Sequence, residues 1–153
     1  MAIKIIDREH TLKFLEGNSL AVISTVTKEG KPDGSAVYYL IEKNFDIFFI
    51  SKKGTAEYKN IHHLNEVVLT VTNTATNETA KIKGKAEPVN KAALTIEIME
   101  NVAGKLNHDD DFETVLPILK REAGDIMAIK IKPYQITMSD YSGEDVNEAV
   151  FSF

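Results

Sequence analysis

The stretch Ser51-Lys52-Lys53-Gly54-Thr55 places two hydroxyls and two ammonium groups just ahead of a helical pattern, and Lys59 follows one turn later. A helix N-terminus offers free backbone N–H groups and a partial positive charge of about half a unit, which together suit an anion such as a phosphate group. Hydroxyls and lysines would complete the donor set. The same residues also describe a capped helix beside a solvated, lysine-rich loop, the usual meaning of a charge run. Against a formal net charge of −5, this local density of lysine stands out.

Other polar groups are less suggestive. His62 and His63 are adjacent on the helical pattern. Neighbours on a helix diverge by about 100°, so they cannot readily share one metal ion and read as surface histidines. His108-Asp109-Asp110-Asp111 can hold a hard cation but lacks the glycine and distal glutamate of an EF-hand loop, and reads better as a connector capping a helix at Phe112. No metal site is expected. Lys81, Lys83 and Lys85 share one face of a strand pattern, either lining an anion cleft at a subunit seam or facing solvent as a guard against edge pairing. Tyr38 and Tyr39 point to opposite faces of their strand, so only one can enter a barrel. There is no GxGxxG, no P-loop lysine and no Ser-His-Asp or Cys-His set, and no residue is assigned as catalytic.

The elements that must position these groups follow from periodicity. Asp7 is a candidate N-cap for a short amphipathic helix carrying Leu12 and Leu15 and ending at Gly17-Asn18. Residues 20–26 read as a well-buried strand. The turn Gly30-Lys31-Pro32 then leads to strands over 34–41 and 46–51, a meander on pattern alone. From Thr55 to Leu64 the period changes to that of a helix through Tyr58, Ile61 and Leu64, with Thr55 near its cap. Strands follow at 67–72 and 79–89. In the latter, Ala80, Ile82, Gly84 and Ala86 share the face opposite the lysines. Helices are expected at 91–106 and 112–121, the second starting late or kinking at Pro117, then a strand over 126–138 and a tail with little periodicity.

The chain has 153 residues, of which 43% are hydrophobic and 27% charged, the profile of a single ordinary globular domain spanning 1–153. No run is apolar enough to cross a bilayer, and the N-terminus turns polar after six residues, without a signal-peptide core. The acidic balance argues against nucleic-acid binding, which depends on neutralising phosphates. The absence of cysteine removes disulfides and thiolate chemistry and fits a reducing compartment, so a cytoplasmic location is expected. Strands joined by short turns, without regular βαβ alternation, predict a mainly β chain with helices (α+β), built on an antiparallel barrel.

Three local sequences carry a family resemblance. One is the opening hairpin, an apolar strand, Gly30-Lys31-Pro32 and a strand with Val37-Tyr38-Tyr39. Another is the strand-loop-helix Phe48-Phe49-Ile50-Ser51-Lys52-Lys53-Gly54-Thr55 running into Lys59-Asn60-Ile61, and the third is Ile82-Lys83-Gly84-Lys85-Ala86-Glu87. In order and spacing, over residues 8–138, the chain resembles the FMN-binding split-barrel family, the group that includes pyridoxamine 5'-phosphate oxidase. The resemblance implies a split β-barrel of about six strands with flanking helices.

It also implies a homodimer with FMN in a cleft between subunits, with the tail 139–153 a candidate for the dimer interface. Ser35, Ala36, Val37 and Tyr38 would contact the flavin, and Ile50, Ser51 and Thr55 would receive the phosphate. Lys52, Lys53 or Lys59 would supply the cation, and Thr79 would contribute from the neighbouring barrel. Two departures stand out. Ser35 replaces an arginine frequent in the family's oxidases, and Thr55-Ala56-Glu57 replaces Ser-Arg-Lys at the head of the phosphate-binding helix. Residues 139–153 contain no arginine, histidine or tryptophan, unlike the region of the true oxidase that holds pyridoxamine phosphate. The implied function is that of an FMN-dependent oxidoreductase acting on some other small molecule. The alternative is a non-catalytic flavin, deazaflavin or haem module, as in a stress response.

Overall fold

A computed structural model describes residues 5–106 and 126–153. In chain order the elements are α1 (Arg8–Glu16), β1 (Leu20–Val26), β2 (Pro32–Ile41), β3 (Ile47–Lys52), α2 (Ala56–His63), β4 (Glu66–Asn73), β5 (Glu78–Pro88), α3 (Ala92–Leu106), β6 (Ile126–Asp140) and β7 (Asn147–Ser152). Every strand pairing is antiparallel, in the order β3-β2-β1-β4-β5-β6-β7, and an additional β3–β6 ladder closes the first six strands into a barrel. The expected barrel is therefore present, with β7 added outside the closure on β6. The expected helix at 112–121 and the His108–Asp111 cluster lie outside the described residues.

The interior is filled by the inward residues of the strands. Ile23, Tyr39, Ile47, Phe49, Leu69, Ile82, Ile129, Ile131, Ile136 and Met138 are all fully buried. Two helices meet this core. Helix α1 inserts Phe14 and Leu15, and α2, which packs on β1, β2 and β3, inserts Ile61. Helix α3 covers the outside of the barrel, packing Ile98, Val102 and Ala103 against Phe48, Ile50 and Ala128. Strand β3 is thus buried on both faces, which explains the unbroken apolar run Phe48-Phe49-Ile50. Each such side chain, fully buried, contributes about 1.5–3 kcal/mol.

Two expectations need correcting. Residues 20–26 form a strand, but it is buried on one face only. Leu20 and Val22 are 53% and 47% exposed, because nothing among the described residues covers the outer face of β1. The tail does hold regular structure, since β7 pairs with β6 and turns Ala149 and Phe151 inward relative to Glu148, Val150 and Ser152. Gly30 takes φ +79 in the first hairpin, as its turn requires.

Candidate functional site

Strand β2 alternates cleanly. Asp33, Ser35, Val37 and Tyr39 lie on the face turned toward the barrel and α2, whereas Gly34, Ala36 and Tyr38 lie outside. Tyr39 is therefore the interior tyrosine. Tyr38 is half-buried against the Phe48–Ile50 cluster under α3. Ser35 stands near the α2 end of the barrel, facing the first turn of that helix.

Here two of the expected side chains, Ser35 and Ser51, converge on a residue that the sequence presents only as a departure, with Thr55 beside them. Glu57, the second residue of α2, is 4% exposed. Its Oε1 accepts from Ser51 Oγ at 3.3 Å, and its Oε2 from Ser35 Oγ at 3.4 Å. Ser51 Oγ also lies 2.8 Å from Thr55 Oγ1. Thr55 occupies the N-cap position, yet its side chain does not cap the helix. Its hydroxyl turns back and donates to the carbonyl of Lys52 at 2.7 Å. One turn further on, Asn60 Nδ2 donates to Thr25 Oγ1 at 3.0 Å and to Asp33 Oδ2 at 3.2 Å. Glu57 and Asn60 are three apart on one helix face and share that face with Ile61, so all three point inward. The i, i+3, i+4 spacing through Glu57, Asn60 and Ile61 was the signal that could have revealed a buried carboxyl.

The other expected residues are dispersed. Val37 is in the core, Ala36 is on the exposed outer face, and Ile50 lies under α3. Lys52 ends β3 opposite Ile126 and is buried. Lys53 is exposed and lines a separate cleft of roughly 420 Å³ with Lys91, Thr95, Met99 and Ile126. Lys59 is exposed on α2. Thr79 pairs with Thr72 and Ser139, three rungs along the β4–β5 ladder from the Leu69–Ile82 pair, and so lies away from Ser35 within one chain. His62 and His63 are both exposed, and no cluster able to hold a metal occurs among the described residues. The lysines of β5 lie on its outer face, with Lys81 and Lys85 exposed. Because β5 is paired on both sides, they guard no sheet edge.

A closed six-stranded barrel with hydroxyls gathered at the start of α2 defines the class of fold seen in small flavoproteins of the split-barrel type. Residues 8–139 match the family model described as pyridoxamine 5'-phosphate oxidase, and the chain belongs to that family. No curated protein matches the sequence. Among solved structures, the chain is similar to a pyridoxamine 5'-phosphate oxidase-related, FMN binding protein of Nostoc punctiforme. Identity is 14% over 98% of this chain and 93% of that one, with a TM-score of 0.72. It is also similar to a Clostridium acetobutylicum protein related to general stress protein 26 of B. subtilis (13% identity, 97% of each chain, TM-score 0.70). General stress protein 26 of Bacillus anthracis is another such structure (15% identity, 93% and 95%, TM-score 0.67). At these identities the likeness concerns the fold.

The residues fit a flavin only in part. Every buried side-chain polar atom among the described residues has a hydrogen-bond partner, so the hydroxyls around Glu57 are engaged with one another and with its carboxyl. Glu57 sets a carboxyl where the resemblance would dock the phosphate end of FMN, leaving the backbone amides at the head of α2 and the exposed Lys53 and Lys59 as the groups that would meet it.

Proposed function

We propose that this chain is a flavin-binding oxidoreductase of the split-barrel group. It works as a single-domain homodimer in the cytoplasm on a small organic molecule, with neither a nucleic-acid nor a membrane partner. One observation supports the proposal beyond family membership: β2, the end of β3 and the head of α2 bring Ser35, Ser51 and Thr55 together, with Ser35 and Ser51 donating to Glu57 and Thr55 beside Ser51. A bound flavin supplies hydride or single-electron transfer, and the chain supplies placement, shielding and a substrate slot. FMN is the flavin suggested by the Nostoc neighbour's description, and the ring would lie along β2 near Ser35 to Tyr38.

Dimerisation is supported by the bare outer face of β1 and β2. Leu20 and Val22 are exposed there, Leu20 beside the half-buried Tyr38 and Val22 beside the exposed Ala36. A second copy would cover it. No described helix is long and apolar enough to cross a membrane.

The test is an absorbance spectrum and mass spectrometry of the purified chain, with its mass in solution. A flavin spectrum released on denaturation, bleached by a nicotinamide nucleotide, from a particle of twice the chain mass is the expected result. Colourless protein that takes up no added flavin would end the proposal. Flavin that binds but is never reduced would make the chain a carrier.

A further inference from the structure

We propose that the cleft where the first turns of α3 meet the end of β3 and the start of β6 is a ligand site in its own right, one that takes a small organic carboxylate with a flat, apolar body. The proposal goes beyond the flavin reading and stands without it.

The cleft has a volume of roughly 420 Å³, enough for such a molecule. Thr95 lines it and is 7% exposed. Its hydroxyl makes no hydrogen bond among the described residues, whereas that of Thr11 in α1 donates to the carbonyl of Asp7. No fully enclosed side-chain polar atom among those residues lacks a partner, so the Thr95 oxygen opens onto the cleft. A largely buried hydroxyl with its proton uncommitted gains from an acceptor brought by a ligand.

Charge sets the sign of that ligand. Lys53, just after β3, and Lys91, just ahead of α3, both line the cleft and form no ion pair among the described residues. No acidic side chain lines it, and the first turn of α3 carries none. The Thr95 amide bonds to the Lys91 carbonyl, which leaves the amides of Ala92, Ala93 and Leu94 without partners inside the helix. An anion placed there gains from those donors and from the helix dipole.

The rest of the wall is apolar. Ile96, 52% exposed, lines it together with the half-buried Met99, Ile126 and Met127. Thioethers make favourable contacts with aromatic rings and adapt to their outline. Inorganic phosphate would leave this wall bare. A neutral hydrocarbon would leave both ammonium groups and the Thr95 donor unmatched. A carboxylate head on a flat apolar body answers both parts of the cleft.

The experiment titrates the full chain calorimetrically with 2-naphthoate, with 2-naphthalenemethanol as its uncharged counterpart, and with inorganic phosphate, all at one ionic strength. Wild type is compared with Lys91→Gln, Thr95→Val and, as a control on β5, Lys81→Gln. Naphthoate should bind with a dissociation constant below about 1 mM, and about tenfold more tightly than either other probe. Lys91→Gln and Thr95→Val should each weaken it by about fivefold or more, and Lys81→Gln should leave it unchanged. Naphthoate should also raise the melting temperature of the wild type more than that of either cleft variant. Absence of binding, equal binding of the alcohol or of phosphate, or an affinity indifferent to Lys91 and Thr95 overturns the proposal. Loss of flavin from the cleft variants would also overturn it, by making the cleft part of the flavin site. A chain that never binds flavin leaves the test intact, since the same two substitutions decide it. Lys91 is exposed, so its variant decides the matter even if Thr95→Val does not fold.

Discussion

The phenol of Tyr39 donates a 2.6 Å hydrogen bond to the main-chain carbonyl of Leu15, and both residues are wholly buried. Leu15 sits in the last turn of α1, where carbonyls have no partner inside the helix. Its neighbours are satisfied locally. Lys13 accepts from the Gly17 amide, and Phe14 from the Asn18 side chain. Leu15 instead relies on a side chain from the barrel interior, so helix and barrel are locked at one point.

Replacing Tyr39 with Phe should therefore cost about 1–3 kcal/mol, since it leaves a buried carbonyl without a donor while keeping the ring. Urea unfolding would show a lower midpoint at an unchanged slope. A loss below about 0.5 kcal/mol would mean that water replaces the phenol, and that this bond does not hold α1 in place.

Two glycines should respond in opposite directions to alanine. A Cβ at Gly84 would lie 2.6 Å from the carbonyl oxygen of Lys132 and 2.9 Å from Ile131 Cγ2, beside the register shift between Lys83 and Gly84. Gly84→Ala must push β5 and β6 apart and should cost about 1–3 kcal/mol. At Gly104, in α3, an added methyl would meet nothing within 4 Å among the described residues, so Gly104→Ala should stabilise by about 0.4–1 kcal/mol. Thermal melts of the two variants should bracket the wild type. If both shift the same way, the close approach at Gly84 is relieved by a small strand movement.

The barrel was legible because its strands alternate: Ala80, Ile82, Gly84 and Ala86 are all buried, opposite the lysines of β5. Strand β1 misled because its exposed face is also apolar. Leu20 and Val22 look like core residues, and only the three-dimensional neighbourhood shows that nothing among the described residues covers them. Strand β7 was hidden by the polar segment 139–148, although Ala149 and Phe151 keep the two-residue period. At the candidate site, hydroxyls and lysines on the strand-to-helix turn were readable as chemistry. The inward rotation of Glu57 was not, because charged residues in a first helical turn ordinarily face water. Periodicity with Ile61 outweighed that default.

Arg8 ties β7 to α1. Its guanidinium lies 4.4 Å from the centre of the Phe153 ring and donates to the carbonyl of Ser152 at 2.7 Å, while Phe153 also meets Phe45. The guanidinium also lies 5.7 Å from the centre of the Phe151 ring, so Arg8→Ala removes these contacts together and should lower stability by about 1 kcal/mol. Amide exchange should accelerate in β7 and leave β4 and β5 unchanged. Uniform acceleration across the barrel would instead mean that β7 is part of the cooperative unit.

Lys105, near the end of α3, should give the chain an unusual alkaline stability profile. Its ammonium lies 4.4 Å over the ring of Tyr39 and 3.4 Å from that residue's carbonyl oxygen. Burial lowers its pKa to about 8, opposed by Glu16, which Lys43 also pairs at 2.8 Å. The unfolded chain keeps this proton up to about pH 10.5, so between 8 and 10.5 the unfolded state binds more protons and stability rises with pH. Below about 8 both states are charged and the cost of burying the ammonium is present in full. Tyr39 acts in reverse: burial raises its phenol well above the usual value of 10.0, so above that pH the unfolded state binds fewer protons and stability falls. Urea midpoints should climb from pH 8 to about 10 and then drop. In Lys105→Met the climb should vanish while the drop remains, and the variant should be no less stable than wild type at pH 7. A climb that survives the substitution would assign it to some other group.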